Sequence, residues 1–181
     1  MKQHGGVGLL LSMLGCIYSG TGNAFPTGAP PGYTGAVGEA DCSHCHSGEL
    51  DGIPPEFELQ GLDQEVTAGA RRVLTLLLSH PDMQVAGVQI SVRLDGSSIK
   101  HIDHLHSTGL KPVLNDGIVY LNHTAPIPAK AGQVTVTIEW NVPQVPGGAV
   151  INVAVVAGND DESPLGDSVA IIEQHIRILP D

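Results

Sequence analysis

Basic residues are scarce in this chain of 181 residues, which has eight Lys and Arg against 19 Asp and Glu and a formal net charge of −11. So strong a negative charge argues against nucleic acid and against an anionic membrane surface as partners. It suits electrostatic steering toward a basic partner protein, and it equally suits the plain solubility of an acidic domain.

Catalytic motifs are missing as well. The sequence has no glycine-rich phosphate loop and no His-Glu-x-x-His, and its serines and carboxylates are scattered without a motif around them. It also has no internal repeat, and its length is enough for one small domain with a core of its own. We therefore expect a single globular domain, and the missing catalytic set favours a protein that is not an enzyme.

Cysteine is rare, with three residues, and two of them lie in the motif Cys42-Ser43-His44-Cys45-His46. The spacing Cys-x-x-Cys-His is that of a c-type haem attachment site. Two thiols add to the two vinyl groups of one porphyrin, which requires a short turn between them, and the adjacent histidine supplies the proximal nitrogen to the iron. We expect one covalently bound haem c, held by Cys42 and Cys45 and ligated by His46.

The same two cysteines have other interpretations: a local disulfide, a thioredoxin-like redox pair, or half of a zinc site. A redox pair belongs near a strand–helix–strand unit, and none surrounds this motif. A zinc site needs four ligands, whereas Cys42, Cys45 and His46 offer three. A local disulfide stays open, and with it a function as a non-redox binding or adhesion module.

The N-terminus has the composition of a secretory signal peptide. A basic start at Lys2 precedes a nearly apolar run over residues 7–18, which is too short to span a membrane, and Gly22-Asn23-Ala24 is a small-x-small site. We expect cleavage after Ala24 and a periplasmic or secreted protein. Cleavage there removes Cys16 and leaves no cysteine outside the haem motif. As a minor alternative, Cys16 is the acylated cysteine of a lipoprotein.

Residues 25–55 and 56–181 differ in pattern. The first segment is rich in Pro and Gly around the motif, and it predicts an irregular haem-attachment segment. The second has short apolar runs broken by turn residues, typical of a sandwich: 73–79, 85–94, 118–121, 134–140, 150–156 and 169–179. We predict an all-β domain, an antiparallel immunoglobulin-like β-sandwich of about seven strands.

Three stretches near the N-terminus form a sequence signature: Phe25-Pro26-Thr27-Gly28-Ala29-Pro30, Thr34-Gly35-Ala36-Val37-Gly38-Glu39 and Cys42-Ser43-His44-Cys45-His46-Ser47-Gly48. Shorter stretches come later: Tyr120-Leu121-Asn122-His123-Thr124, the strand ending in Trp140, and Ala157-Gly158-Asn159 with Gly166-Asp167. Together they resemble the choice-of-anchor V family of exported bacterial proteins. The resemblance implies a reeler-like β-sandwich behind a haem segment, and a monohaem c-type electron carrier or sensor.

The sixth position of the haem iron decides between electron transfer and ligand binding, because a closed site transfers electrons and an open one binds small molecules. His123 is the first candidate, since it lies at a predicted strand end where the resemblance places a His-Thr pair. Met83 is the alternative sixth ligand, although a methionine more often fills a gap in a core. His44 is expected to point away from the iron. An open site would make the protein a haem-based sensor or enzyme.

Three further histidines, His101, His104 and His106, cluster beside Asp103. On an extended segment His104 and His106 project to the same side, so a copper or zinc site, or a distal haem ligand, is one interpretation. A polar loop between strands is the favoured one. The cluster departs from the family pattern.

Overall fold

The computed structural model describes residues 25–96 and 104–181. The predicted signal peptide, Cys16, His101 and Asp103 lie outside the described residues. No helix in these two ranges is long and apolar enough to cross a membrane.

The described chain is built of short to medium strands with two single 3-10 turns. The turns span Cys42–His44 and Leu50–Gly52. The strands are β1 (Glu56–Gln60), β2 (Glu65–Thr67), β3 (Arg71–Ser79), β4 (Val85–Leu94), β5 (Leu105–His106), β6 (Leu110–Asn115), β7 (Ile118–His123), β8 (Ile127–Pro128), β9 (Gln133–Asn141), β10 (Gly147–Gly158) and β11 (Ser168–Leu179).

These strands form two sheets that make a β-sandwich, so the predicted fold class is confirmed. Within the described ranges one sheet has the order β1-β3-β9-β5, and the other has the order β2-β11-β10-β4-β7-β6 with β8 paired to β4. Every strand pair there is antiparallel except β2 with β11, which is parallel. The described ranges hold more strands than the expected seven or so. The predicted runs did not include β1 and β6, and the two- and three-residue strands β2, β5 and β8 are too short to show an alternating pattern.

Alternation of apolar and polar residues produces the core. Along β9 the side chains of Val134, Val136, Ile138 and Trp140 are buried and their neighbours face outward, because successive side chains of a strand point to opposite faces. Strand β10 is buried along nearly its whole length. It lies centrally, between β11 and β4.

The outer face of the larger sheet carries polar residues, and the N-terminal arm covers them. We use the name N-terminal arm for residues 25–41. The Gln89 side chain on β4 accepts a hydrogen bond from the Tyr33 backbone N–H (2.7 Å) and donates to the carbonyl of Pro30 (2.8 Å). Gln89 is 2% exposed, so the arm satisfies a polar side chain that it also buries. The segment that precedes the haem motif is therefore docked on the sandwich.

An ion pair and its hydrogen bonds fasten the far end of the arm. Glu39 accepts hydrogen bonds from Thr34 Oγ1 (2.7 Å), from the Tyr120 hydroxyl and from the Arg93 guanidinium. Arg93 also donates to Asn152 on β10 (3.2 Å). One carboxylate on the arm is thus tied to β4, β7 and β10.

The surroundings of Glu39 shift its acidity and that of Tyr120. Burial acts to raise the pKa of Glu39, but hydrogen bonds from Tyr120, Thr34 and Arg93 outweigh it and hold the pKa below 4.5. Burial, together with the hydrogen bond to Glu39, raises the pKa of Tyr120 to about 12. Because the folded pKa of Glu39 is depressed, its stabilising effect is complete above the unfolded value and is lost as the pH falls through the folded one.

Replacing Glu39→Gln removes this charge, and we expect it to lower the free energy of unfolding at neutral pH by about 1–3 kcal/mol. The difference from the parent protein should shrink as the pH falls from 4.5 through the lower folded pKa of Glu39, because protonation then removes the charge that the variant lacks. Urea denaturation at neutral and acidic pH measures both effects. Glu49→Gln, the same change at an exposed side chain of the neighbouring segment, is the control and should cost less than about 0.5 kcal/mol. Equal costs for the two variants would contradict the role of Glu39.

Candidate functional site

The Cys-x-x-Cys-His motif is folded into one tight turn. Asp41 caps it by accepting a hydrogen bond from the Ser43 N–H (2.7 Å). The backbone N–H groups of Cys45 and His46 both donate to the carbonyl of Cys42, at 3.2 and 2.9 Å. The turn thus begins at Cys42 and closes at Cys45, as the spacing of the two cysteines predicts.

The residues that follow the motif pair with a distant loop. Ser47 donates its N–H to the carbonyl of Pro164 (2.9 Å) and accepts from the N–H of Gly166 (2.7 Å). Gly48 packs directly on this loop: a Cβ there would lie 2.9 Å from the Gly166 backbone, and its φ of +124° is one that residues with a side chain avoid. Leu50 is then buried in the core. The Cys-x-x-Cys-His motif is therefore held from both sides, by the N-terminal arm before it and by this pairing after it.

This pairing brings His46 next to Asp167. The Nδ1 atom of His46 and Oδ2 of Asp167 are 2.6 Å apart, although the two residues are 121 positions apart in sequence. Asp167 is 4% exposed, whereas the side chain of His46 is partly exposed. With an ionised carboxylate as acceptor, Nδ1 carries the proton of a neutral ring, and Nε2 is left with its lone pair free to bind a metal.

A cavity of about 560 Å³ opens beside the motif. Its wall includes Cys42, Cys45, His46 and His123, together with Asp167. The structure thus brings together all four residues for which the sequence predicts haem binding. The volume lies within the range of about 300–1,000 Å³ typical of cofactor and small-molecule sites.

His123 lies at the end of β7, on the wall of this cavity. Its Nδ1 atom is 3.1 Å from both the N and the O atom of Val88, and its Nε2 atom is 3.3 Å from the carbonyl of Phe25 at the start of the described arm. The ring rests on Gly87, where a Cβ would come within 3.2 Å of the ring. Gly87 thus leaves the space that the imidazole occupies. Both ring nitrogens of His123 therefore have backbone partners, and Nε2 would have to give up its contact with Phe25 to bind a ligand in the cavity.

The other candidate side chains lie elsewhere. Met83 is 1% exposed within the hydrophobic core, as expected of a methionine that fills a gap. His80 is buried, with Nε2 3.0 Å from the carbonyl of Ile53. His44 is exposed and its ring lies against Tyr33, with the ring centroids 5.9 Å apart.

The His101, His104 and His106 cluster is only partly described. His104 places Nδ1 2.9 Å from the carbonyl of Asn141, and His106 is exposed on β5. Over residues 25–96 and 104–181, no group of three or more His, Cys, Asp or Glu side chains is arranged to hold a metal ion. The proposed copper or zinc site includes His101 and Asp103, so it stays a prediction.

Both thiols of the motif are free in this structure. Burial, with the negative charge of Asp41 adding to it, raises the pKa of Cys42 to about 12. Redox-active and zinc-binding cysteines need the thiolate and have lowered pKa values. The environment of Cys42 therefore weighs against a thioredoxin-like pair.

Sequence reasoning missed Asp167 and the acidic loop around it. Asp160, Asp161 and Glu162 also line the cavity and are exposed to solvent. The only sequence signal was the Gly166-Asp167 pair, which carried part of the family resemblance but no role. The pairing of His46 with Asp167 depends on a contact between distant segments, and no local pattern encodes it.

Comparison with known proteins finds likeness of fold alone. No protein-family model matches the chain, and no curated protein matches its sequence. AvmM, described as catalysing macrocyclization in alchivemycin A biosynthesis, is 10% identical over 68% of this chain and 88% of its own, with a TM-score of 0.47. The CARDB domain of PF1109 from Pyrococcus furiosus is 14% identical over 70% and 94%, with a TM-score of 0.40. The human F-spondin reeler domain is 10% identical over 70% and 90%, with a TM-score of 0.38.

The close approach of Gly48 to Gly166 gives a test of how the segment after the Cys-x-x-Cys-His motif is docked. Gly48→Ala should lower the free energy of unfolding by about 1–3 kcal/mol more than Gly32→Ala, because an added methyl group meets backbone that cannot yield. Gly32 is the matched control, since its φ is also positive (+102°) but a Cβ there has no neighbour within 4 Å. Urea denaturation measures the free energy of unfolding of each variant. Faster hydrogen exchange at the Ser47 and Gly166 amides would show that the destabilisation lies at this contact. Equal costs would show that the close approach is unimportant.

Proposed function

We propose that the protein is an exported, periplasmic or secreted monohaem c-type cytochrome that carries single electrons. One haem c is attached to Cys42 and Cys45, with His46 and His123 as the iron ligands. The observation that carries the proposal is one cavity whose wall includes Cys42, Cys45, His46 and His123.

The residues at the cavity fit this group. The motif is wound into the turn that two thioether bonds to one porphyrin require, and Asp167 directs the free nitrogen of His46 away from itself. His123 reaches the same cavity from a different part of the fold, the end of β7. A ligand from the sandwich itself would close the sixth position, which favours electron transfer over the binding of small molecules.

A haem held here supplies one-electron chemistry between ferric and ferrous iron. The chain's own contribution is to orient His46, to supply a second imidazole and to shield the site with the N-terminal arm. Asp160, Asp161 and Glu162 place negative charge at the cavity, in a protein whose net charge is already −11. This charge suits a basic redox partner, whose approach it would steer.

A binding module without haem is the second candidate. The pair Cys42 and Cys45 supports it, because the two free thiols belong to one tight turn. In such a module Cys42 and Cys45 form a local disulfide, and the sandwich recognises its partner without redox chemistry. The two candidates differ in what the cysteines are bonded to, which can be measured directly.

Expression with the cytochrome c maturation machinery should yield a coloured protein whose intact mass includes one whole haem. On a denaturing gel stained for haem, the parent protein should give a band and Cys42→Ser/Cys45→Ser should give none, because the variant has no thiol to form a thioether. A colourless protein whose mass is lower by two hydrogens would instead identify the disulfide-bonded module and sink the cytochrome proposal.

The sixth ligand is tested with His123→Ala in the haem-loaded protein. We expect the low-spin optical spectrum to become high-spin, and carbon monoxide to bind the reduced variant without displacing a protein ligand. His175→Ala is the control, because His175 is an exposed histidine paired with Glu173 on β11, outside the cavity. An unchanged low-spin spectrum in the His123 variant would exclude His123, and carbon monoxide binding to an open site in the parent protein would favour a sensor or enzyme.

A further inference from the structure

We infer that Asp167 is a positioning residue for the haem iron: it fixes the tautomer of His46 and, through that ring, lowers the reduction potential of the site. This inference rests on the proposed function, since it concerns the iron that His46 would bind. Sequence reasoning assigned Asp167 no role.

The geometry places a nearly buried carboxylate on the side of the ring opposite the free nitrogen. Asp167 Oδ2 is 2.6 Å from His46 Nδ1, slightly shorter than the roughly 2.7–2.9 Å of charge-assisted N–H···O hydrogen bonds. The other oxygen, Oδ1, is buried and has no hydrogen-bond partner in the described part of the protein. Within that part, the side chain of Asp167 makes no other hydrogen bond, so the carboxylate charge acts mainly on His46.

The backbone fixes this contact from both sides. Ser47, which follows His46, is paired with Pro164 and Gly166, and Gly166 precedes Asp167. The backbones on both sides of the contact between His46 and Asp167 are therefore held by hydrogen bonds. In addition, Oδ1 of Asp167 lies over Gly158, where a Cβ would come within 3.1 Å of it. The carboxylate therefore has little room to turn away.

The chemistry follows from the two nitrogens of one ring. When the Nδ1–H of a neutral ring donates to a carboxylate, Nε2 is the unprotonated nitrogen, so the ring is held in the tautomer that binds iron. The same hydrogen bond moves electron density into the ring and makes Nε2 a stronger donor. A stronger anionic donor set stabilises ferric iron more than ferrous iron, because the ferric ion has the higher charge.

The experiment compares haem-loaded Asp167→Asn with the parent protein. Asparagine keeps the size of the side chain but removes the charge and weakens the hydrogen bond to Nδ1. We expect the ratio of reduced to oxidised haem at a fixed solution potential to rise about tenfold, which is a shift of about +59 mV for a one-electron couple. The NMR signal of the His46 Nδ1 proton in the reduced protein should move upfield or be lost.

Asp160→Asn is the matched control, because it removes one carboxylate from the same cavity wall without touching His46. It should leave the Nδ1 proton unchanged and shift the potential much less. Asp167→Glu, which retains the charge, should keep most of the lower potential. If Asp167→Asn does not fold, the hydrogen-bonded Nδ1 proton of His46 in the haem-loaded parent serves as the test.

The outcomes separate the two proposals. A parent protein without covalent haem overturns the proposed function, and this inference with it. A haem protein in which Asp167→Asn shifts the potential no more than Asp160→Asn overturns only the role of Asp167. The same holds if the haem-loaded parent lacks a hydrogen-bonded Nδ1 proton on His46.

Discussion

The backbone pairing of Ser47 with the loop at Pro164 and Gly166 is the constraint on which the candidate site depends. A Cys-x-x-Cys-His turn has no fixed orientation by itself, because it contains only local hydrogen bonds. Two hydrogen bonds at Ser47 give it one, and the close packing of Gly48 on Gly166 leaves no space for another arrangement. His46 thereby meets Asp167, and Cys42 and Cys45 line the same cavity as His123.

The N-terminal arm provides hydrogen-bond partners for buried polar residues of the larger sheet. Polar residues on the outer face of β4, β7 and β10 are buried, and buried polar groups cost free energy unless they are hydrogen-bonded. The arm supplies these partners: its backbone bonds to Gln89, and Glu39 bonds to Arg93 and Tyr120. The same contacts bring the arm to the cavity, where Phe25 and Tyr33 form part of the wall. The docking of the N-terminal arm therefore both covers the outer face of the sheet and forms part of the cavity wall.

The proposed cytochrome differs from a helical one in how its iron would be enclosed. One ligand comes from a loop peptide and the other from the end of a strand, so a rigid sandwich would hold the distance between them. A carboxylate behind the proximal imidazole and acidic residues at the cavity both favour the more highly charged oxidised state. We expect such a site to donate electrons readily and to meet partners that carry positive charge.

The sequence by itself determined the features that depend on neighbouring residues. The spacing of Cys42, Cys45 and His46 predicted the turn, and the alternation of apolar residues predicted the longer strands, with bounds that agree exactly for 85–94. The shortest strands were missed because two or three residues show no period. Only the tertiary structure decided that Asp167 bonds to His46 and that His123 shares a cavity with the motif. Those contacts join segments far apart in the chain, and their geometry follows from how the sheets, the arm and the loop pack together.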